Sequence, residues 1–154
     1  QKGGADFIIA ETVPNVQEAM GLASAASNLN LDYIISFVIG RNGKILDGTS
    51  LSDAMQLIDN SVGKVPLGYA VNCAHPSFLC AENQPKEIYG RLIAFLGNAS
   101  ALDHCDLENS DCLHVDNVSE WGDEMLRLNR EFGIKILGGC CGTDERHLEY
   151  LTKN

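Results

Sequence analysis

Positive charge is scarce in this chain. Its 11 Lys and Arg face 21 Asp and Glu, a formal net charge of −10. A nucleic-acid backbone or an anionic membrane surface recruits a positive footprint, so neither is an expected partner. Long hydrophobic runs are missing as well: none approaches the roughly 20 residues that cross a bilayer. No apolar segment with a cleavage site follows Gln1-Lys2-Gly3-Gly4, so no secretory leader is expected. There is no internal repeat, low-complexity tract or linker-like stretch, and residues 1–154 read as a single domain. The acidic residues lack the D-x-[DN]-x-[DN]-G order of a calcium loop, and the cysteines include no C-x-x-C pair.

What is present is an ordinary globular composition, 45% apolar and 21% charged, able to bury a core. The acid is unevenly spread. Between Gly97 and Glu124 lie eight carboxylates (Asp103, Asp106, Glu108, Asp111, Asp116, Glu120, Asp123, Glu124) and no Lys or Arg. A solvated acidic connection is the plain account of that window.

Strand-like and helix-like segments alternate. Asp6 to Thr12, Tyr33 to Ile39, Leu67 to Asn72, Leu92 to Leu96 and Ile134 to Leu137 are short runs rich in β-branched and aromatic residues. They are continuous rather than alternating, which suits parallel strands covered on both faces. Asn15 with Glu18 predicts a helix start, followed by the stripe Val16, Ala19, Met20, Ala23. Ser50 with Asp53 predicts a second, striped by Leu51, Ala54, Met55 and Ile58. Val118, Trp121, Met125, Leu128 and Phe132 mark a third, with Gly133 placed to end it. Thr143 is expected to open the last helix, with Asp144 and Glu145 in its first turn. A shorter helix is expected around Gln84 to Tyr89. The pattern means an α/β fold with a parallel sheet. Five strands fit an open sheet most simply, and a truncated barrel otherwise.

Six cysteines could make three disulfides, remain buried thiols, or bind a soft metal. Cys73 ends one predicted strand and the adjacent Cys140 and Cys141 end another, and strand C-termini form the functional side of parallel α/β folds. Three thiolates there would suit zinc with its fourth position open. In Gly138-Gly139-Cys140-Cys141-Gly142-Thr143 the glycines permit unusual backbone angles beside the thiols. The helix that follows is expected to turn its positive end toward them. Cys80, Cys105 and Cys112 lie in loops and read as incidental; a Cys105–Cys112 bridge is the minority alternative.

The element running from Gly138 to Asp144, preceded by Val71-Asn72-Cys73, resembles the zinc-dependent homocysteine S-methyltransferase family. Ala10-Glu11-Thr12-Val13-Pro14-Asn15 resembles the stretch after that family's fourth strand. Ser36-Phe37 with Leu46-Asp47-Gly48-Thr49 resembles its fifth strand and loop. The similarity runs from about Ala5 to the C-terminus. It implies the C-terminal part of a TIM (β/α)8 barrel, about five β/α units corresponding to strands four to eight. Two sheet edges and the inner barrel face would then be open, and pairing with a second copy or with the missing N-terminal part is expected.

The resemblance further implies zinc (Zn2+) held by Cys73, Cys140 and Cys141, and transfer of a methyl group to the thiol of homocysteine, giving methionine. It implies Glu11 as a substrate-binding acid, with Asn72 and Ser36 as further substrate contacts. His75 reads as a loop histidine near the mouth rather than a ligand, and His147 as a surface or packing residue. The donor would be a small activated methyl compound of the S-methylmethionine, betaine, S-adenosylmethionine or methyl-folate type. A thiolate zinc site suits the cytoplasm, so the sequons at Asn98 and Asn117 are discounted. Two other functions stay open on the residues alone: a non-catalytic zinc or thiol-binding module, and a redox protein using Cys140 and Cys141.

Overall fold

The computed structural model describes residues 3–29, 31–102, 112 and 114–154. The acidic residues Asp103, Asp106, Glu108 and Asp111, and the Cys105–Cys112 alternative, therefore involve positions outside the described residues. Five parallel strands form one sheet in chain order: β1 Phe7–Val13, β2 Asp32–Phe37, β3 Gly68–Ala74, β4 Leu92–Gly97 and β5 Ile136–Gly139. Helices α1 Val16–Ser27, α2 Leu51–Ser61, α3 Val118–Phe132 and α4 Glu145–Lys153 follow β1, β2, β4 and β5. The link from β3 to β4 is three short 3-10 turns, Pro76–Leu79, Ala81–Asn83 and Lys86–Gly90. These replace the helix expected around Gln84 to Tyr89; Pro85 breaks the run between the second and third turns, since it cannot donate a helical N–H.

The helix starts follow the capping signals. Asn15 Oδ1 accepts from Glu18 N–H, and Ser50 accepts from Asp53 N–H. Gly133 ends α3 at φ 76°, a left-handed position that costs glycine little. The last helix begins later than expected. Asp144, not Thr143, is its cap: the Asp144 side chain accepts from Arg146 N–H while His147 Nδ1 accepts from Asp144 N–H. Two terminal donors are satisfied reciprocally, which fixes the start at Glu145.

One face of the sheet carries the main core. Tyr33, Ile35, Phe37, Tyr69, Val71 and Phe95 pack there against α1, α2 and α3. The buried stripe of α2 is Leu51, Ala54, Met55 and Ile58. Full burial of each larger member stabilises the fold by about 1.5–3 kcal/mol. The opposite face is thinner: Ile34, Ala70 and Ala94 form a separate small cluster. The strands are not all covered on both sides, as their apolar runs predict. Phe7 (53%), Ile9 (38%) and Ile136 (51%), all on the edge strands β1 and β5, stay exposed. An edge strand has one neighbour instead of two, so identical sequence patterns end in different burial.

Candidate metal centre

Parallel strands direct their C-terminal ends to one side of the sheet, and two of these ends are irregular. On β3 the register with β4 slips between Asn72, opposite Leu96, and Ala74, opposite Gly97. Cys73 is the extra residue, at φ 53°. On β1 the register with β2 slips between Ala10 and Val13, so Glu11 and Thr12 share the irregularity, with Thr12 at φ 58°. A bulge re-aims a side chain out of the strand's alternation. Positive φ in a β-branched threonine is strained and needs external support.

Asn72 supplies it. Its Oδ1 accepts from Thr12 N–H at 2.8 Å and from Ser36 Oγ at 2.7 Å, and its Nδ2 donates to Thr12 Oγ1 at 2.7 Å. Asn72 and Ser36 are both buried. These two expected substrate contacts are thus joined into one network that locks both bulges together. Glu11, the third, is exposed beside Thr12.

The cysteine pair arrives on the turn after β5. Thr143 N–H and Oγ1 both donate to Cys140 O, at 3.2 and 2.7 Å. A Cβ on Gly139 would lie 2.1 Å from Thr143 Oγ1, so only glycine permits this closure. Gly142 takes φ 79°, the left-handed region. The expected positive helix end is partly offset, because Asp144 sets its own carboxylate on the first N–H groups of α4.

These turns bring the three sulfurs together. Cys73 Sγ lies 3.3 Å from Cys140 Sγ and 3.6 Å from Cys141 Sγ, and the pair is 4.0 Å apart. The three ligand atoms all fall within 4.8 Å of one another, the one such group of metal-binding side chains among the described residues. Burial, followed by hydrogen bonding to Cys140 and Cys141, pushes the Cys73 thiol up. A high proton affinity at the centre of a thiol triangle is the condition that a bound cation relieves. No disulfide joins the described cysteines.

The remaining predicted residues fall nearby in supporting roles. His75 caps the first 3-10 turn: its Nδ1 accepts from Ser77 N–H, and Asp116 lies 3.6 Å from Nε2. Burial lowers its basicity, against the pull of Asp116. It is not in the sulfur cluster. His147 is fully buried, edge-on to Trp121, which makes it a packing residue. Asn98, read only as a sequon, is buried, and its side chain accepts from Cys141 N–H. Its burial in that bond leaves no room for a glycan. The signal that could have found it is topological: β4 lies between the two cysteine-bearing strands.

Comparison with known proteins bears on this geometry. The homocysteine S-methyltransferase family model matches residues 1–154. Homocysteine S-methyltransferase 2 of Saccharomyces cerevisiae is 27% identical over 158 residues, covering 96% of this chain and 46% of the yeast protein. Homocysteine S-methyltransferase 2 of Arabidopsis thaliana is 25% identical over 162 residues, covering 99% of this chain and 46% of the plant protein. The chain thus spans about half the length of the curated relatives it matches. Among solved structures, the metallated form of the homocysteine methyltransferase MmuM from Escherichia coli shares the fold, with a TM-score of 0.65 at 20% identity, over 99% of this chain and 46% of that one. No helix among the described residues is long and apolar enough to cross a membrane.

Proposed function

The chain belongs to the homocysteine S-methyltransferase family, and on that premise we propose that it carries the metal-binding part of an enzyme that methylates the thiol of homocysteine to give methionine. The observation that carries the reading is the sulfur triangle, with sides of 3.3, 3.6 and 4.0 Å. Tetrahedral thiolates at about 2.3 Å from zinc stand about 3.8 Å apart, so this triangle fits a zinc ion with little adjustment. Three soft anionic donors favour zinc over harder divalent ions.

Cys73, Cys140 and Cys141 would hold the ion as thiolates and leave a fourth corner open. When bound, it lowers the acidity barrier of an incoming thiol, whose ordinary pKa of about 8.5 otherwise keeps it protonated at neutral pH. The chain's own residues do the rest. Glu11, exposed at the β1 bulge, receives the substrate ammonium. Asn72 and Ser36 act from behind, holding Thr12 and so the backbone beside Glu11. In the overall reaction the sulfur–methyl bond forms, the donor's bond to that methyl breaks, and the thiol proton is released. The donor is a compound that leaves neutral or less cationic, of the S-methylmethionine, betaine, S-adenosylmethionine or methyl-folate class.

The five strands correspond in this reading to the fourth to eighth of a TIM barrel. The exposed apolar residues of β1 and β5 then pair with a second copy or with the N-terminal half of the family's barrel. Unoxidised clustered thiols suit the cytoplasm. The family relation gives the non-catalytic module no support.

The test is metal content under reducing conditions, with homocysteine turnover across a panel of those donors. One zinc per chain is expected. Cys73→Ser, Cys140→Ser and Cys141→Ser should each weaken binding by at least about 100-fold, since each removes a ligand. A Cys73→Ser variant that binds zinc like the parent would sink the proposal.

A further inference from the structure

Just before they deliver the sulfurs, β3 and β5 share one row of residues with β4. Asn72 on β3 stands opposite Leu96 on β4, and Leu96 opposite Gly138 on β5. Cys73 directly follows the first of these residues, and Cys140 lies just past the last. Cys140 N–H donates to Gly97 O at 2.8 Å, which seats the cysteine pair directly beyond Leu96. Side chains alternate between the two faces of a strand. Phe95 packs in the main core and Ala94 in the small cluster opposite, so Leu96 belongs to that opposite face, the inner one of the proposed barrel. The polar member of the row is committed elsewhere, since Asn72 holds Thr12 and Ser36. The glycine offers only backbone, and Leu96 leans over it: a Cβ on Gly138 would lie 2.8 Å from Leu96 Cδ2. Leu96 is thus the row's one apolar side chain, and it is only half-buried.

A small-molecule site is mostly apolar wall, with a few polar groups that fix orientation. The sulfur triangle and Glu11 supply polar groups here, and the row beneath the sulfurs supplies wall. Resting on the function proposed above, we propose that Leu96 is a specificity-determining residue: its isobutyl group is the apolar floor under the sulfurs, meets the methylenes of the thiol substrate and sets how long a carbon chain the site accepts. The substrate class is an α-amino acid with a terminal thiol, and homocysteine carries two methylenes between sulfur and α-carbon. Trimming Leu96 deepens the floor. A methyl added to Gly138 pushes Leu96 off β5 and raises it. The second change acts through Leu96, because beyond the chain neighbours of Gly138 the one atom that such a methyl meets within 4 Å, among the described residues, is Leu96 Cδ2. That atom is the far end of a flexible side chain, so it yields without displacing β5.

The experiment titrates the reduced, cobalt-loaded chain with cysteine, homocysteine and the homologue one methylene longer. Kd for each is read from the charge-transfer and ligand-field bands that a fourth sulfur changes, and cobalt affinity without thiol is read by chelator competition. The compared quantity is the ratio of Kd values between thiols, which does not depend on how much of the chain is folded. One methylene in an apolar pocket is worth about 10- to 200-fold, so the parent should favour homocysteine over both neighbours. Leu96→Ala should shift that preference toward the longer thiol by at least about tenfold while cobalt affinity stays unchanged. Gly138→Ala should shift it toward cysteine by at least about tenfold, and this effect should fall away in the Leu96→Ala background. If Leu96→Ala loses the folded emission of Trp121, the chain's single tryptophan, Leu96→Val trims the side chain by one carbon and replaces it under the same outcomes. Parent-like thiol ratios in the Leu96 variant, or a parent chain that binds cobalt but selects none of the three thiols, overturn this inference and leave the metal-binding reading standing. A parent chain that takes up no metal overturns both.

Discussion

Replacing Asn72 by leucine keeps its branched four-atom skeleton and removes its polarity, and the network around it allows the cost to be worked out. Three hydrogen bonds disappear: Asn72 Oδ1 no longer accepts from Thr12 N–H and Ser36 Oγ, and its Nδ2 no longer donates to Thr12 Oγ1. At about 1 kcal/mol each, their loss costs about 3 kcal/mol. Ser36 is fully buried, so its orphaned hydroxyl adds a desolvation penalty of about 1 kcal/mol or more. Against this, Thr12 is released from φ 58°, which returns about 1 kcal/mol of backbone strain. Asn72→Leu should therefore destabilise the chain by about 2–4 kcal/mol. In urea, with a slope of about 2 kcal/mol/M, the midpoint should fall by about 1–2 M. Ser36→Ala sharpens the test. Alone it removes one donor while Asn72 still holds Thr12, and should cost about 1 kcal/mol. In the Asn72→Leu background it deletes an unpaired hydroxyl and should restore about 1 kcal/mol. If Ser36→Ala costs the same in both backgrounds, or Asn72→Leu shifts the midpoint by less than about 0.3 M, the clamp does not support the bulges.

Two further predictions concern the turn and the thiols. Gly139→Ala places a methyl 2.1 Å from Thr143 Oγ1, which must swing away and release Cys140 O; the chain should lose about 1–3 kcal/mol and bind zinc more weakly, measured by urea unfolding and chelator competition. A Gly139→Ala chain with parent-like stability and affinity would contradict that packing. Because burial and the facing thiols raise the Cys73 thiol, the metal-free chain keeps that proton through neutral pH and the ion must displace it. Zinc affinity should then climb by at least about tenfold per pH unit from about pH 6.5 to about 8.5, and a flat profile would mean the Cys73 thiol is already ionised.

Much of the frame was legible because its signals are local. Asn15 and Ser50 cap helices through bonds spanning three residues, and Gly133 ends α3 by its own φ. The turn at Gly138 to Asp144 carries its glycines where closure demands them. The bulges were not legible. Neither Thr12 nor Cys73 is glycine, and Thr12 at positive φ is held by Asn72, which is 60 residues away. Asn98 acts on Cys141 across 43 residues, and only the sheet order brings them together. Asn72 and Asn98 look alike in sequence, each a polar residue ending an apolar strand. Their work was hidden because an amide at a strand end can face substrate, solvent or another strand, and register alone decides which.

Burial at the sheet edges follows the same logic. Phe7 and Ile9 on β1 and Ile136 on β5 continue apolar runs that match the covered strands β2 to β4, yet they remain exposed. A run's hydrophobicity records the environment it is written for, whereas its burial records the neighbours it has. Ile9 is in register with Ile34 and Ile136 with Ala94, so the exposed side chains extend the small cluster on the opposite face rather than the main core. That face, the inner one in the proposed barrel, is the surface the proposed pairing would cover. The sulfur triangle lies at the C-terminal end of the same strands, so the proposed pairing would also wall it from water on that face. On the proposed reading, completion of the sheet and enclosure of the reacting thiol are one event: the chain paired as proposed should hold zinc with less solvent at the open corner than the 154 residues hold it by themselves.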